Sequence, residues 1–226
     1  MKMIKQFIFL ISRRISFFLP MIGLKRFHKT KYGISNRYIH RLRYRQFDAT
    51  NNNDDWQLEV YQKAKEIMLE QNFSKVFDIG CGSGYKLIKY LGTYETIGSE
   101  VNPTFQFLNE KYPNRKWIFS NFEINNNIET DLIICADVIE HLINPDVLLN
   151  YIKSIKFKLL IISTPARDLL HYQTSDLFYG PPSNSTHIRE WTFNEFEEYI
   201  SNHFEVINHI ISNQVQATQM IICKKK

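Results

Sequence analysis

The segment Val76-Phe-Asp-Ile-Gly-Cys-Gly-Ser-Gly-Tyr85 decides the architecture. Its first residues read as a short buried strand over 75–79, and a helix opens directly behind the last glycine. Gly80, Gly82 and Gly84 let the backbone turn sharply and approach a ligand with no Cβ in the way. Twenty residues past Gly80, at the end of the next predicted strand, stands Glu100. A carboxylate there is placed to accept hydrogen bonds from two ribose hydroxyls.

Outward from that loop, helical and strand periodicities alternate. Trp56, Leu58, Val60, Tyr61, Ala64, Ile67 and Met68 predict an amphipathic helix ahead of the first strand, entered from an Asn51–Asn53 linker through an N-cap at Asp54-Asp55. A helix over 84–91, a strand over 95–99 and a helix after Pro103 follow. Further strands are predicted at 116–120, 131–136 and 158–163, with a helix at 146–155 between the last two. Thr192 and Glu195 form a capping-box pattern at the head of a helix over 192–203. Residues 204–211 and 216–223 read as a terminal hairpin. The expected fold is therefore α/β: a Rossmann-like, doubly wound, seven-stranded and mostly parallel sheet with a C-terminal antiparallel hairpin. Ligands in such folds bind beyond the carboxyl ends of the strands.

Three ligand classes compete for the glycine loop. A mononucleotide P-loop needs GxxxxGK[ST], but Gly84-Tyr85-Lys86-Leu87 has its Lys one place late and no Ser or Thr after it. A dinucleotide site wants GxGxxG, whereas this loop is GxGxG with Asp78 two residues before it. An acid at that place opposes a pyrophosphate and favours a cationic amino-acid moiety. S-adenosylmethionine carries that moiety, together with a ribose for Glu100 and an adenine.

The motifs DIGCGSG (78–84), IGSEVNP (97–103) and CADVIEHLINP (135–145), in this order and spacing, resemble the class I S-adenosylmethionine-dependent methyltransferases over about residues 54–226. The resemblance implies that Asp78, Gly80, Cys81, Gly82 and Gly84 contact or shape the methionine end of the cofactor and that Glu100 holds the ribose. The adenine-contacting position after the third strand is usually Asp in that family; here it is Asn121, followed by Phe122. Ala136, Asp137 and Val138 map beside the cofactor, with Glu140 and His141 following. Residues 180–196, GPPSNSTHIREWTFNEF, and WQLEVY at 56–61 look like a subgroup associated with bacterial cell-surface polysaccharide and glycan biosynthesis.

Methyl transfer to a hydroxyl requires an aligned acceptor and the loss of a proton, so a general base is expected. His141, after the fourth strand, and His187, in the loop after the fifth, are the catalytic candidates. Each also has a structural reading, as a ring bonded to backbone or within its own loop. Arg189 is a candidate to pair with an anionic group on the acceptor, against a salt bridge with Glu190. Trp191 is a candidate acceptor platform, against plain packing. Arg167 and Asp168 sit at the same rim, while His28, His40, His203 and His209 receive no role. No metal site is expected, because no ligand-type residues combine with metal spacing.

The chain of 226 residues, 44% hydrophobic, suffices for one sizeable core and one catalytic domain. Seven Pro and eight Gly exclude a collagen-like or low-complexity chain. Cys81, Cys135 and Cys223 lie far apart, which excludes a disulfide framework and fits a reducing cytosol. Charge divides the chain in two. Twelve Lys and Arg and no acid precede Asp48, whereas sixteen bases and twenty-three acids lie from Asp48 onward. The expected division is a basic arm and linker at 1–53 and a catalytic domain at 54–226.

Within 1–24, Ile4, Phe7, Ile8, Ile11, Ile15, Phe18 and Leu19 recur at helical spacing beside Lys2, Lys5, Arg13 and Arg14. The uncharged runs are too short to span a bilayer, and Arg13-Arg14 breaks a signal-peptide pattern. The expectation is a helix lying on an anionic membrane surface, with the protein cytoplasmic and peripheral on the inner face. A helix packed on the body or on another subunit, or an RNA-binding arm, are the alternatives. Residues 25–47 interleave bases with Phe27, Tyr32, Tyr38, Tyr44 and Phe47, a pattern that suits nucleic acid, lipid headgroups or a phosphate-bearing substrate. The leading expectation is O-methylation of a sugar or lipid-linked acceptor. Quinone or other lipid methylation, RNA methylation and a non-catalytic S-adenosylmethionine-binding scaffold are the alternatives; the acidic body makes nucleic acid the lesser partner.

Overall fold

Strands β1 (Lys75–Ile79), β2 (Glu95–Glu100), β3 (Lys116–Phe119), β4 (Leu132–Ala136) and β5 (Leu159–Pro165) run parallel. The antiparallel pair β6 (Glu205–Asn213) and β7 (Thr218–Lys224) extends the sheet beyond β5, giving the order β3-β2-β1-β4-β5-β7-β6. The predicted seven-stranded, mostly parallel sheet with its terminal hairpin is present. A computed structural model describes residues 31–42, 49–50, 55–122, 127–171 and 175–226.

The central strand β4, Leu-Ile-Ile-Cys-Ala, is buried at every position. It shows no alternation because both faces of a parallel sheet are covered. On one face lie α1 (Leu58–Glu70), α2 (Tyr85–Leu91) and α3 (Thr104–Lys111), which contribute Val60, Tyr61, Leu87, Leu91 and Leu108 to one core. On the other lie α4 (Pro145–Ser154), α6 (Phe193–Ser201) and, ahead of it, the single turn α5 (Arg167–Leu170). That second core holds Leu148, Ile152, Phe196 and Ile200. The capping box of α6 forms as expected: the Thr192 side chain accepts from the Glu195 amide, and the Glu195 side chain accepts from the Thr192 amide.

Two features differ from expectation. Helix α1 starts at Leu58, and its N-cap is Gln57 in the left-handed region (φ 64) rather than an aspartate. The Gln57 amide instead donates to the Ala136 carbonyl, at 3.2 Å. Secondly, residues 31–42 belong to the body. Tyr32, Ile34 and Tyr38 enter the second core, and the Trp191 indole donates to the Tyr32 carbonyl at 2.8 Å. Interleaved bases and aromatics at 31–41 therefore mark packing, and the body begins ahead of the division at 53 that charge suggests. The amphipathic stripe at 1–24, the linker at 51–53, Phe27, Tyr44 and Phe47 lie outside the described residues. Among the described residues no helix is long and apolar enough to cross a membrane.

Candidate active site

The sheet order reverses between β1 and β4, so the loops after these two strands part and leave a crevice at their carboxyl ends. A cavity of about 640 Å³ opens there. Its walls come from the glycine loop, the end of β2, the β4 exit and the loop before α6.

The glycine loop is held from β2. The Gly80 amide donates to the Ser99 carbonyl at 2.9 Å, and the Gly82 amide donates to Glu100 Oε1 at the same distance. Gly80 has φ +71, and a Cβ on it would stand 2.4 Å from Val138 Cγ2. Only glycine serves at this position, for torsional and steric reasons together. Glu100 Oε2 accepts from the Val101 amide at 3.1 Å, so both carboxylate oxygens are oriented by backbone while each keeps a lone pair for a ligand hydroxyl.

Asp78 stands behind the loop, fully buried, and does not itself line the cavity. Its Oδ2 accepts from the Tyr61 hydroxyl at 2.8 Å, while Oδ1 has no hydrogen-bond partner among the described residues. Burial pushes its pKa up to about 7, against the Tyr61 hydrogen bond and the Lys86 charge. Burial likewise raises Glu100, Asp137 and Glu140. Among the described residues Lys86 is the only Lys or Arg on the wall. A positively charged ligand beside the glycine cradle would offset the burial that keeps these carboxyl groups from ionising.

The β4 exit places Asp137 in the left-handed region (φ 53), a torsional cost concentrated at the cavity wall. The Ser163 hydroxyl donates to Asp137 Oδ1 at 2.6 Å and the Asp137 amide reaches back to the Ser163 carbonyl at 3.2 Å, which hold the residue in place. A single 3-10 turn, Ile139–His141, follows. Glu140 within it is fully buried; its Oε2 accepts from the Thr164 hydroxyl at 3.1 Å.

The loop before α6 docks on that turn, with the Ile188 amide donating to the Glu140 carbonyl at 2.8 Å. Docking brings the His141 and His187 rings together edge-to-face, centroids 4.9 Å apart. His141 Nδ1 lies 2.9 Å from the Thr186 carbonyl, and burial together with the nearby His187 pushes its pKa down to about 4. His187 Nδ1 lies 2.7 Å from Glu190 Oε1 and its Nε2 lies 3.0 Å from the Asn184 amide nitrogen. Asn184 Oδ1 accepts from the Thr186 amide and hydroxyl, so the amide nitrogen must face the ring. His187 therefore carries its proton on Nδ1 and a lone pair on Nε2.

The cavity wall gathers Gly80, Cys81, Gly82, Glu100, Phe122, Ala136, Asp137, Val138, His141 and His187 from the sequence-derived candidates. Gly84 and Asn121 lie off that wall, as does Asp78. Arg189 and Trp191 are corrected. Arg189 is buried, donating to the Leu142 and Ile143 carbonyls at 2.7 Å each, with its guanidinium 4.6 Å from the Tyr32 ring centroid. Trp191 is fully buried and stacked on Tyr199. Neither presents a surface to an acceptor; both brace the loops that do. Gln57, Lys86, Glu140, Asn184 and Thr186 line the cavity and were not singled out as site residues. Glu140 had a signal, as the acid adjoining His141. The rest depend on loops meeting in space. Contrary to the expectation of no metal site, Glu140, His141 and His187 each offer a ligand-type atom within 4.8 Å of the others.

Residues 25–213 match a family model described as a methyltransferase domain. No curated protein matches the chain by sequence. Solved structures share the fold. The small RNA methyltransferase HEN1 is 21% identical with a TM-score of 0.59, covering 81% of this chain and 27% of that one. The N-methyltransferase NodS from Bradyrhizobium japonicum WM9, in complex with S-adenosyl-L-homocysteine, is 12% identical with a TM-score of 0.58, covering 78% and 94%. The magnesium protoporphyrin IX methyltransferase from Synechocystis PCC 6803, also with the homocysteine product bound, is 13% identical with a TM-score of 0.57, covering 74% and 83%. With a family match over most of its length and a glycine cradle fitted to a cationic nucleoside, the chain belongs to the methyltransferase-domain family and is an S-adenosylmethionine-dependent methyltransferase.

Proposed function

We propose that this methyltransferase methylates a hydroxyl oxygen of a sugar or lipid-linked glycan precursor. The observation that carries the reading is the His141–His187 pair on the cavity wall. With two imidazoles, half-buried His141 and buried His187, and a single Lys among its described lining residues, the wall suits a neutral O–H group over a carboxylate or phosphate. The surrounding acids disfavour an anionic group at the reacting centre.

In this reading Gly80, Cys81 and Gly82 hold the methionine end, Glu100 takes the ribose hydroxyls, and Phe122, Ala136 and Val138 flank the rest of the nucleoside. Asp78 and Asp137 supply negative charge near the cationic portion. Bound S-adenosylmethionine supplies a methyl electrophile whose C–S electron pair stays on sulfur. The imidazole of His141, braced edge-to-face by His187, holds the acceptor hydroxyl toward that region, and the hydroxyl proton passes to water as the O–C bond forms. Alignment within a walled cavity accounts for much of the rate. The basic residues at 1–47 would keep the enzyme at an anionic membrane surface where lipid-linked acceptors reside.

Methyl-labelled S-adenosylmethionine, supplied with nucleotide sugars, polyprenyl-linked glycans and small RNAs in parallel, tests the reading. Label is expected in the glycan fractions as a base-stable ether. Label confined to RNA would replace this reading with RNA methylation. That second reading draws on the remaining bases, Lys25, Arg26, Lys29, Arg43 and Arg45, and on the likeness to a small RNA methyltransferase.

A further inference from the structure

We propose that Glu140, His141 and His187 form a binding site for a divalent first-row metal ion, such as Mn2+, Co2+, Fe2+ or Zn2+, on the acceptor side of the cavity. The inference rests on the hydroxyl-acceptor reading for the metal's role, but not for its binding.

Proximity is the first support. One ligand-type atom from each residue lies within 4.8 Å of the others, and all three residues line the cavity. Ligands about 2.0–2.2 Å from one ion stand at most about 4.4 Å apart, so small side-chain rotations close the set. Two imidazoles and a carboxylate suit a transition metal better than calcium or magnesium, and three protein ligands leave positions open to the cavity.

The second support is a buried polar atom with nothing to bind. Glu140 is fully buried, its Oε2 is held by Thr164, and its Oε1 has no hydrogen-bond partner among the described residues. A buried carboxylate oxygen left unsatisfied costs several kcal/mol in general, and a cation removes that cost.

The third support lies behind the ligands. Metal-binding histidines commonly donate their second ring N–H to a carboxylate or carbonyl, which fixes the tautomer. His187 Nδ1 meets Glu190 Oε1 at 2.7 Å, and Glu190 is itself buried. His141 Nδ1 meets the Thr186 carbonyl at 2.9 Å, and the same ring also faces the Asp137 backbone carbonyl. With a cation on Nε2, the proton sits on Nδ1, where Thr186 accepts it. At His187 the ion would take the Nε2 lone pair now turned to the Asn184 amide nitrogen. Asn184 Oδ1 stays anchored to Thr186 in either state.

An ion here would take the acceptor oxygen as a further ligand and lower the pKa of its O–H, the proton passing to water. His141 and His187 would then act as metal ligands.

The test uses the full chain stripped with a chelator and titrated with Co2+, read by visible d–d absorption and by Mn2+ electron paramagnetic resonance. Stoichiometric binding with a nitrogen-ligand spectrum is expected. It should be lost in Glu140→Gln and in His187→Gln, each verified as folded by circular dichroism. Glu190→Gln should weaken metal affinity by about 10–100-fold through His187 without abolishing it. Failure of the folded wild-type protein to bind Co2+ or Mn2+, or binding that survives both ligand substitutions, overturns the site. These readouts need no acceptor, so they stand apart from the acceptor assay. If the metal binds and chelation leaves hydroxyl methylation unchanged, the site's catalytic role is overturned.

Discussion

At the scale of single residues, Asp78 is expected to couple cofactor binding to pH. Its carboxyl is buried beside Tyr61, with one oxygen lacking a hydrogen-bond partner among the described residues, and its pKa stands near 7. The unfolded chain releases this proton near 4, whereas the folded chain keeps it until about 7. Stability contributed by this group is thus full at low pH and declines as pH rises between those values. A bound sulfonium reverses the preference by favouring the carboxylate. S-adenosylmethionine affinity is expected to rise several-fold between about pH 6 and pH 8 in calorimetric titrations, and Asp78→Asn should flatten that rise. A flat wild-type profile would show that Asp78 is not coupled to the sulfonium. Gly80→Ala tests the cradle: the new Cβ meets Val138 at 2.4 Å in a left-handed backbone. Loss of S-adenosylhomocysteine binding with a melting temperature lowered by only a few degrees is expected.

At the scale of elements, the loop before α6 and the turn after β4 act as one unit. The Arg189 guanidinium ties Leu142 and Ile143 by their carbonyls and donates to the His40 ring at 3.2 Å. Arg189→Leu would keep the volume roughly but leave those carbonyls without donors. It should cost about 2–4 kcal/mol in urea unfolding, and lower methyl transfer more than cofactor affinity because His141 sits on the released turn. Equal losses in both would mean the clamp serves stability alone. The capping box at α6 is a simpler case: Thr192→Ala should cost about 1 kcal/mol, with activity little changed.

At the scale of the whole molecule, residues 31–42 join the body to the site. The Tyr38 hydroxyl accepts from the Glu190 amide at 2.9 Å, next to the carboxylate that orients His187. Ile34 is buried in the second core. Ile34→Ala is expected to cost about 2–4 kcal/mol in denaturant unfolding, as for any buried isoleucine. A cost near zero would show that this segment merely rests on the surface.

Much of the fold was legible in the residues because its signals are local. The period of 75–91, strand then glycines then helix, the runs at 132–136 and 159–163, and the Thr192–Glu195 pair each act within a few residues, and each formed where expected. The glycine loop with Glu100 was legible for the same reason, since ligand geometry constrains spacing along one βαβ unit. What only the tertiary structure decided is which distant side chains meet and which are hidden. Sequence patterning left Arg189 and Trp191 open between substrate-facing and structural readings, because polarity and aromaticity do not reveal burial; packing against Tyr32 and Tyr199 makes both structural. The basic, aromatic stretch at 31–41 looked like part of a detached arm until Tyr32 and Tyr38 were seen seated under Arg189 and Arg167. Glu140, His141 and His187 come together because one loop closes over another strand's exit, a contact made through a backbone hydrogen bond from Ile188 to Glu140. Local periodicity carries no trace of such closure, since its driving force is the burial of the shared core beneath both loops.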